Sequence, residues 1–279
     1  MNIRRAEPGD ADFLVELLIH EDVRPFLSAV RSQDRESVQA EIERSQREPN
    51  DFGVFVIELD GVPAGTMGFE VANQRSRIAH LGGLAVHPDF RGRRISDEAA
   101  RTFQRHLLLD LGFHRLQLEV YGFNERAIQH AERAGFIREG VKRRAYRRRG
   151  DWVDGVMFGL TREDLGLDPG VDFLYEYVAR HNQGVRNGEW DPLAECFADD
   201  AVLEFEGVAV GPFSGRDAIA SAYRERPPDD EVRILDAQED GGTVVAHYSW
   251  SVGPERQAGT LRLTRRGDAI ERLVVTVAP

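Results

Sequence analysis

The sequence predicts a mixed α/β domain over residues 1–165 followed by an α+β domain over residues 166–279. Three observations predict it. The chain has 279 residues, more than one hydrophobic core comfortably serves. Its first half alternates helical and strand patterns, whereas its second half spends its helices early and then runs through strands. Between them, "EDLGLDPGVD" at 163–172 has two glycines, one proline and four acidic residues, the composition of a seam.

The elements follow in order. "DADFLVELLIH" and "RESVQAEIERSQRE" space their apolar residues as helices do. "FGVFVIEL" and "GVPAGTMGFEV" read as strands joined around Asp60-Gly61, and "RIAHLGGLAV" as a third. "DEAARTFQRHLLLDLG" is an amphipathic helix with Gly112 as its stop, followed by the strand "HRLQLEVYG". Asn124 opens a short helix that Gly135 closes. Two strands, "FIREGVKRRAYRRR" and "WVDGVMFGLTR", then turn around Gly150-Asp151. In the second half, helices are expected over "FLYEYVARHNQGV", "PLAECFADD" and "GRDAIASAYRER". The strand "AVLEFEGV" precedes the last of these, and further strands run to the end.

Composition narrows the class. Apolar residues make up 41 % and charged residues 30 %, enough for a core in each half. The single cysteine, Cys196, excludes a disulfide framework and a cysteine zinc site, and it reads as a buried structural thiol. The start "MNIRRAEPGDADF" lacks a signal-peptide core and no run reaches membrane-spanning length, so a cytoplasmic protein is expected. Net charge is −12, with −2 in residues 1–165 and −10 in residues 166–279. Such a chain is a poor nucleic-acid binder, because neutralising phosphates needs a basic face. The one basic cluster, "KRRAYRRR" at 142–149, shows no apolar face in either strand alternation and reads as a charged edge. In that alternation Lys142, Arg144, Tyr146 and Arg148 share one side, and Arg143, Ala145, Arg147 and Arg149 the other. Contact with an acidic acceptor, a phosphate or the acidic second half is its functional alternative.

"AVHPDFRGRRISDEAARTF", 85–103, holds the chemistry. A strand ends, the chain turns through Pro88 and Gly92, and a helix begins, which is how backbone N–H groups collect a phosphate. With "LGGLAVHPDFRGRR", "LGFHRLQLEV", "NERAIQHAERAGF" and "REGVKRRAYRRRGDWVDGVMFGLTRED" in that order, residues 1–165 resemble the GNAT acetyltransferases, in the branch of ribosomal-protein and small-molecule N-acetyltransferases. The resemblance implies the mixed-sheet GNAT fold and acetyl-CoA as cosubstrate, with no metal. It implies cofactor binding by Leu84, Ala85 and Val86 on the strand and by Arg91, Gly92, Arg93, Arg94, Ile95 and Ser96 in the turn, with Asn124 beside them.

Two departures from the family pattern stand out. Arg94 and Ser96 occupy positions where relatives carry small residues, glycine first. If Arg94 takes positive φ the strain is about 1 kcal/mol, which a charge-assisted bond to phosphate worth about 1.5–3 kcal/mol offsets. The tyrosine that many relatives use to protonate the leaving thiolate falls on Ala131. For the base that frees the attacking amine, Glu119 is the first candidate and His80 the second, with Glu70 and His87 behind them. Tyr121 is read as positioning cofactor or acceptor, and Tyr146 and Trp152 as packing the hairpin.

Residues 171–279, through "FLYEYVARHNQGVRNGEWDPLAECFADDAVLEFEG" and "FSGRDAIASAYRE", resemble the SnoaL-like or nuclear-transport-factor-like α+β cone, a curved antiparallel sheet with helices. Tyr177 matches the donor tyrosine of the isomerase branch, but Phe205 stands at the base position and Gly259 or Thr260 at the second donor, so isomerase chemistry is not expected. Phe205, Tyr223, Tyr248 and Trp250 line the cone as core or pocket, and Asp199 and Asp200 are placed in a turn. The expected protein is an N-acetyltransferase that transfers acetyl directly to a primary amine of a small molecule, carries an accessory ligand-binding or dimerising cone, and assembles as a homodimer. The alternative is an inactive acyl-CoA-binding sensor or scaffold joined to a small-molecule-binding cone.

Overall fold

The computed structural model describes residues 1–27, 34–148, 150–166, 171–254 and 256–277. Arg149 and part of the seam, 167–170, lie outside the described residues. The chain divides into two compact units, one of Met1–Leu108 with Phe113–Leu165, the other of Leu109–Gly112 with the residues from Gly166 onward.

The first unit runs β1 (Asn2–Arg5), α1 (Ala11–Ile19), α2 (Arg35–Arg47), β2 (Phe52–Leu59), β3 (Val62–Asn73), β4 (Ile78–Val86), α3 (Ile95–Arg105), β5 (Arg115–Tyr121), α4 (Glu125–Arg133), β6 (Ile137–Arg148) and β7 (Asp151–Thr161). Its seven-stranded sheet has the order β1-β2-β3-β4-β5-β7-β6, antiparallel throughout except for the β4–β5 pair. The β2–β3 turn sits on Asp60 (φ 54°) and Gly61 (φ 79°), the left-handed pair that a tight hairpin favours. Asp34 caps α2 by accepting a hydrogen bond from the Ser37 amide at 2.9 Å. Val38 and Ile42 of α2 and Leu14 of α1 bury against Ala6 and Val56. Elsewhere in the unit, Phe103 of α3 packs edge-on to Phe55 of β2 (4.9 Å between ring centres) and Phe113 to Phe69 of β3 (5.6 Å). The helix expected over 97–112 begins two residues earlier and widens into a π-helical turn at His106–Asp110.

The arginine-rich strand β6 is the sheet edge, as its charge pattern implies. The simple alternation read along it fails. Lys142 faces Gly155 and Tyr146 faces Val153, so four residues of β6 span two of β7. The bulge forms because Arg144 turns left-handed (φ 51°) and its amide donates to Asp154 Oδ1 at 2.7 Å. Trp152, expected to pack the hairpin, is instead 54 % exposed.

The second unit runs α5 (Asp172–Asn187), α6 (Asp191–Ala194), β8 (Phe197–Glu206), β9 (Phe213–Ser214), α7 (Arg216–Glu225), β10 (Val232–Asp240), β11 (Thr243–Trp250), β12 (Gly259–Arg266) and β13 (Ala269–Val277). Its sheet has the order β10-β11-β12-β13-β8-β9. It is mixed rather than wholly antiparallel, because β13 and β8 run parallel. The helix expected over "PLAECFADD" is confined to Asp191–Ala194. By Cys196 the chain is already in the sheet, where its carbonyl accepts from the Ile270 amide at 2.7 Å, and Phe197, Ala201 and Leu203 point inward. Ladder pairing thus overrides a local helical pattern. Asp199 and Asp200 accordingly lie on β8, not in a turn, and ion-pair with Arg216 and Arg266.

The aromatic residues of the cone are core. Tyr223 and Tyr248 are buried, with Phe205 and Trp250 packed against the same cluster. The Tyr177 and Tyr223 hydroxyls bond each other at 2.9 Å. Cys196 is buried, and burial pushes its thiol up to about 12. His181 is buried beside Asn182 Oδ1 (3.1 Å), and burial pushes it down to about 4. No helix among the described residues is long and apolar enough to cross a membrane.

Candidate active site

The site begins where two strands part. β4 and β5 share register only at Ile78–Arg115, Ala79–Leu116 and His80–Gln117, and beyond that they diverge. Each keeps its other neighbour, β3 and β7 respectively, so each turns one edge toward the opening. On the β3 side, Thr66 faces Ala85 but Gly68 faces Gly82, a bulge that Gly83 absorbs at φ +70°. A cavity of about 450 Å³ lies in this gap, walled by Leu81–Val86 on one side and Leu118–Tyr121 on the other. Strand edges hold backbone donors and acceptors that need partners, and a peptide-like chain supplies them.

At one end of the cavity the chain leaves β4 through Pro88–Phe90 and enters α3 by way of Gly92 (φ 81°) and Arg94 (φ 57°). The first amides of a helix have no intrahelical partner and carry its positive pole. Gly92 leaves open space, since a Cβ there would meet nothing within 4 Å. Arg91, Gly92, Arg94, Ile95 and Ser96 line the cavity. Arg94 is exposed, and among the described residues its guanidinium makes no hydrogen bond or ion pair. Arg91 reaches across to Asp22, donating to its carbonyl at 3.2 Å. This donor set fits a pyrophosphate.

Across the gap, Asn124 caps α4, its side-chain oxygen accepting from the Ala127 amide at 3.2 Å. Ala131 is buried in the lining, so the position of the missing tyrosine is open space. Beside it His130 bonds Asp97 Oδ1 through Nδ1 at 2.9 Å, and burial biases the imidazole toward neutrality despite that carboxylate.

Glu119 projects from β5 into the lining. Its Oε2 accepts from Lys142 Nζ at 2.7 Å, whereas its Oε1 is buried, over Gly155, with no hydrogen-bond partner among the described residues. Gly155 makes this possible: a Cβ there would collide with the carboxylate. The hydrogen bond to Glu119 raises the Lys142 pKa above its ordinary value, and burial, then the same carboxylate, raises that of Tyr146. The mouth beyond is aromatic. Tyr121 stacks on Phe123 (5.4 Å), meets Tyr146 edge-on (5.5 Å) and lies under the Arg148 guanidinium (4.9 Å). Phe26 and Phe123 approach within 6.4 Å and are 49 % and 46 % exposed. Arg148 fixes this rim by donating to the Pro25 and Leu27 carbonyls at 3.0 and 3.1 Å.

Known proteins sharpen the picture. Residues 16–136 match the acetyltransferase (GNAT) family model and residues 178–273 the SnoaL-like domain model. The chain joins a GNAT-type acetyltransferase domain to a SnoaL-like domain. An uncharacterized N-acetyltransferase from a prophage of Bacillus subtilis, YokL, is 29 % identical over 45 % of this chain and 70 % of its own. The uncharacterized N-acetyltransferase p20 of Bacillus licheniformis is 26 % identical over 59 % and 94 %. Among solved structures, the spermidine N-acetyltransferase of Vibrio cholerae, in complex with CoA and spermine, superposes with a TM-score of 0.55 at 17 % identity, over 60 % of this chain and 98 % of that one. The ribosomal-protein-S5-alanine acetyltransferase of Vibrio fischeri gives 0.52 at 17 %, over 58 % and 93 %. At that identity the structures establish the fold. GNAT enzymes use acetyl-CoA.

Within the GNAT unit, the gap gathers Leu84, Ala85, Val86, Arg91, Gly92, Arg94, Ile95, Ser96, Asn124 and Glu119 around one cavity. Arg93 falls outside the lining and lies over the Phe90 ring at 5.7 Å. His80 is also outside it, at the closed end of the gap, where β4 still pairs with β5. Glu70, opposite His80, and His87, between the His20 and Phe90 rings, do not line it either. Reading the sequence missed Phe26, Phe123, Arg148 and the Lys142 contact. Lone aromatics in turns carry no periodic signal, and Lys142 meets Glu119 only through the β6–β7–β5 register.

Proposed function

We propose that residues 1–165 transfer acetyl from acetyl-CoA directly to a primary amine of a small molecule, with residues 166–279 as an accessory unit that binds a ligand or dimerises. The parting of β4 and β5 beside the start of α3 carries this reading. The α3 amides, Arg91 and Arg94 would hold the pyrophosphate, the β4 edge at Leu84–Val86 the amides of the pantetheine arm, and Asn124 would border them. Acetyl-CoA supplies the activated thioester. Glu119, directly or through a water, takes the proton from the acceptor's ammonium, leaving a free amine as nucleophile. We prefer Glu119 to His80 as this base because only Glu119 reaches the cavity. The aromatic rim of Phe26, Tyr121 and Phe123 supports a small amine with an apolar part, and one structural neighbour is by name a spermidine N-acetyltransferase, in complex with CoA and spermine.

Calorimetric titration with acetyl-CoA, followed by thiol release with a panel of amines, tests it. Glu119→Gln should bind acetyl-CoA within about twofold of the parent and lose at least about 100-fold in turnover. Binding without thiol release from any amine would favour the sensor reading.

A further inference from the structure

The groups around the cavity are unevenly matched in charge. Among the described residues two carboxylates line it, Asp22 and Glu119, and each already has a cation. Arg91 approaches Asp22 within 3.5 Å, and Lys142 approaches Glu119 within 2.7 Å. Arg94, Arg126 and Arg133 line it as well. The stretch after Leu27, "SAVRSQ" at 28–33, contains no acidic residue that could alter the balance. At the mouth the surface is apolar instead. Val23, Phe26, Leu27 and Tyr121 line it, and Phe123 joins them by stacking on Tyr121. Phe26 and Phe123 meet at 6.4 Å, tilted by 43°, with about half of each left exposed. Aromatic rings pair edge-on or offset at centre distances of about 4.5–7 Å, so this corner can take a third ring. The corner is also held in place, because Arg148 lies over Tyr121 and bonds the Pro25 and Leu27 carbonyls. Among the described residues Arg148 meets no carboxylate, so its charge stands uncompensated at the rim.

Resting on the acetyl-transfer reading above, we propose that the acceptor is an arylalkyl monoamine, its ring seated against Phe26, Tyr121 and Phe123 and its one amine at the thioester. The ring leaves water for a surface that is already aromatic. A single ammonium is all the charge it brings, and that one becomes a neutral amide. A polyamine such as spermidine keeps further ammonium groups in the complex, where the lining carboxylates are engaged and Arg148 repels them. Nor can they settle on Tyr121, whose ring is taken up by Arg148 and Phe123. In the transfer itself the thioester C–S bond gives way to an amide C–N bond. The ammonium sheds two protons, one to the departing CoA thiolate and one to solvent.

Steady-state thiol release from acetyl-CoA with phenylethylamine, ethylamine and spermidine, in the full chain and in Phe26→Ala and Phe123→Ala, tests the proposal. Melting temperature and acetyl-CoA affinity are measured alongside. Phenylethylamine should exceed both ethylamine and spermidine in kcat/KM at least about tenfold. Each phenylalanine variant should lose at least about fivefold more on phenylethylamine than on ethylamine, mainly in KM, with acetyl-CoA affinity within about twofold. A merely structural phenylalanine predicts equal losses on the two amines, and that result overturns the proposal. Spermidine turned over as well as phenylethylamine also overturns it, and so does ethylamine that matches phenylethylamine. In either case acetyl transfer to an amine stands and only the acceptor class has failed. The comparison of amines in the parent holds even if a variant does not fold. Thiol release with none of the three, although acetyl-CoA binds, removes the transfer reading and this acceptor with it.

Discussion

Each unit of this molecule contains one parallel strand pair inside an otherwise antiparallel sheet, and the two pairs behave in opposite ways. In the GNAT unit, β4 and β5 share three register positions and then separate. In the SnoaL-like unit, β13 and β8 stay paired as far as Thr276 and Glu206, after one irregularity near Ile270. The first pair frames a cavity lined by small residues such as Gly82, Gly83, Ala85 and Ala131. The second closes over a core of Phe197, Tyr177, Tyr223 and Tyr248. A parallel pair is therefore not itself a site. What opens it is a glycine-bearing bulge on one strand, beyond which the two strands diverge.

The largest effect expected from this contrast concerns the filled interior. His181 is held neutral by burial, so the unfolded chain binds a proton that the folded one refuses. Stability from this residue is complete above the ordinary histidine pKa of 6.5 and is lost as pH falls toward about 4. The loss is on the order of 3 kcal/mol, readable as a drop in the denaturation midpoint between pH 6.5 and 4. His181→Gln should flatten that dependence.

An equal substitution in the two places gives a sharper comparison. Ala246→Leu, in the closed core, should overpack it and cost about 1–3 kcal/mol, seen by chemical denaturation. Ala131→Leu, facing the cavity, should leave the midpoint nearly unchanged and weaken acetyl-CoA binding at least about tenfold, the cost of a bulky group in space the ligand needs, by calorimetry. Matching stability losses at both positions would mean that the gap is packed rather than open. The smallest effect belongs to Arg94→Gly. Relief of its left-handed backbone should stabilise the protein by about 1 kcal/mol, while removal of the guanidinium weakens acetyl-CoA binding. Unchanged or tighter binding would show that Arg94 is not a phosphate donor.

Much of this architecture was legible in the residues. The Asp60-Gly61 hairpin, the Asn124 cap and the strand–turn–helix passage at 85–103 are local events, encoded by glycine, proline and capping chemistry within a few positions. The start of β8 was not, because Cys196 and Phe197 pair with a strand some seventy residues away and their neighbours look helical. The bulge in β6 was hidden for a different reason. "KRRAYRRR" has no apolar rhythm from which a break in alternation could be seen, and the amide-to-Asp154 bond that creates it is tertiary. In the site, the phosphate turn was readable and the aromatic rim was not. The turn is one continuous segment, whereas Phe26, the Tyr121–Phe123 stretch and Arg148 meet only when two separate segments and a hairpin converge.

The pairing of Lys142 with Glu119 has a practical side for anyone handling the protein. Apart from the chain's amino terminus, a succinimidyl dye, an aldehyde fixative or an amine-coupling sensor chip finds one side chain to react with, 48 % exposed and hydrogen-bonded to that carboxylate. The lone thiol, Cys196, is buried and offers maleimide no alternative. Conventional tethering through lysine therefore anchors this molecule beside the proposed base, and a tag at a terminus is the attachment that spares it.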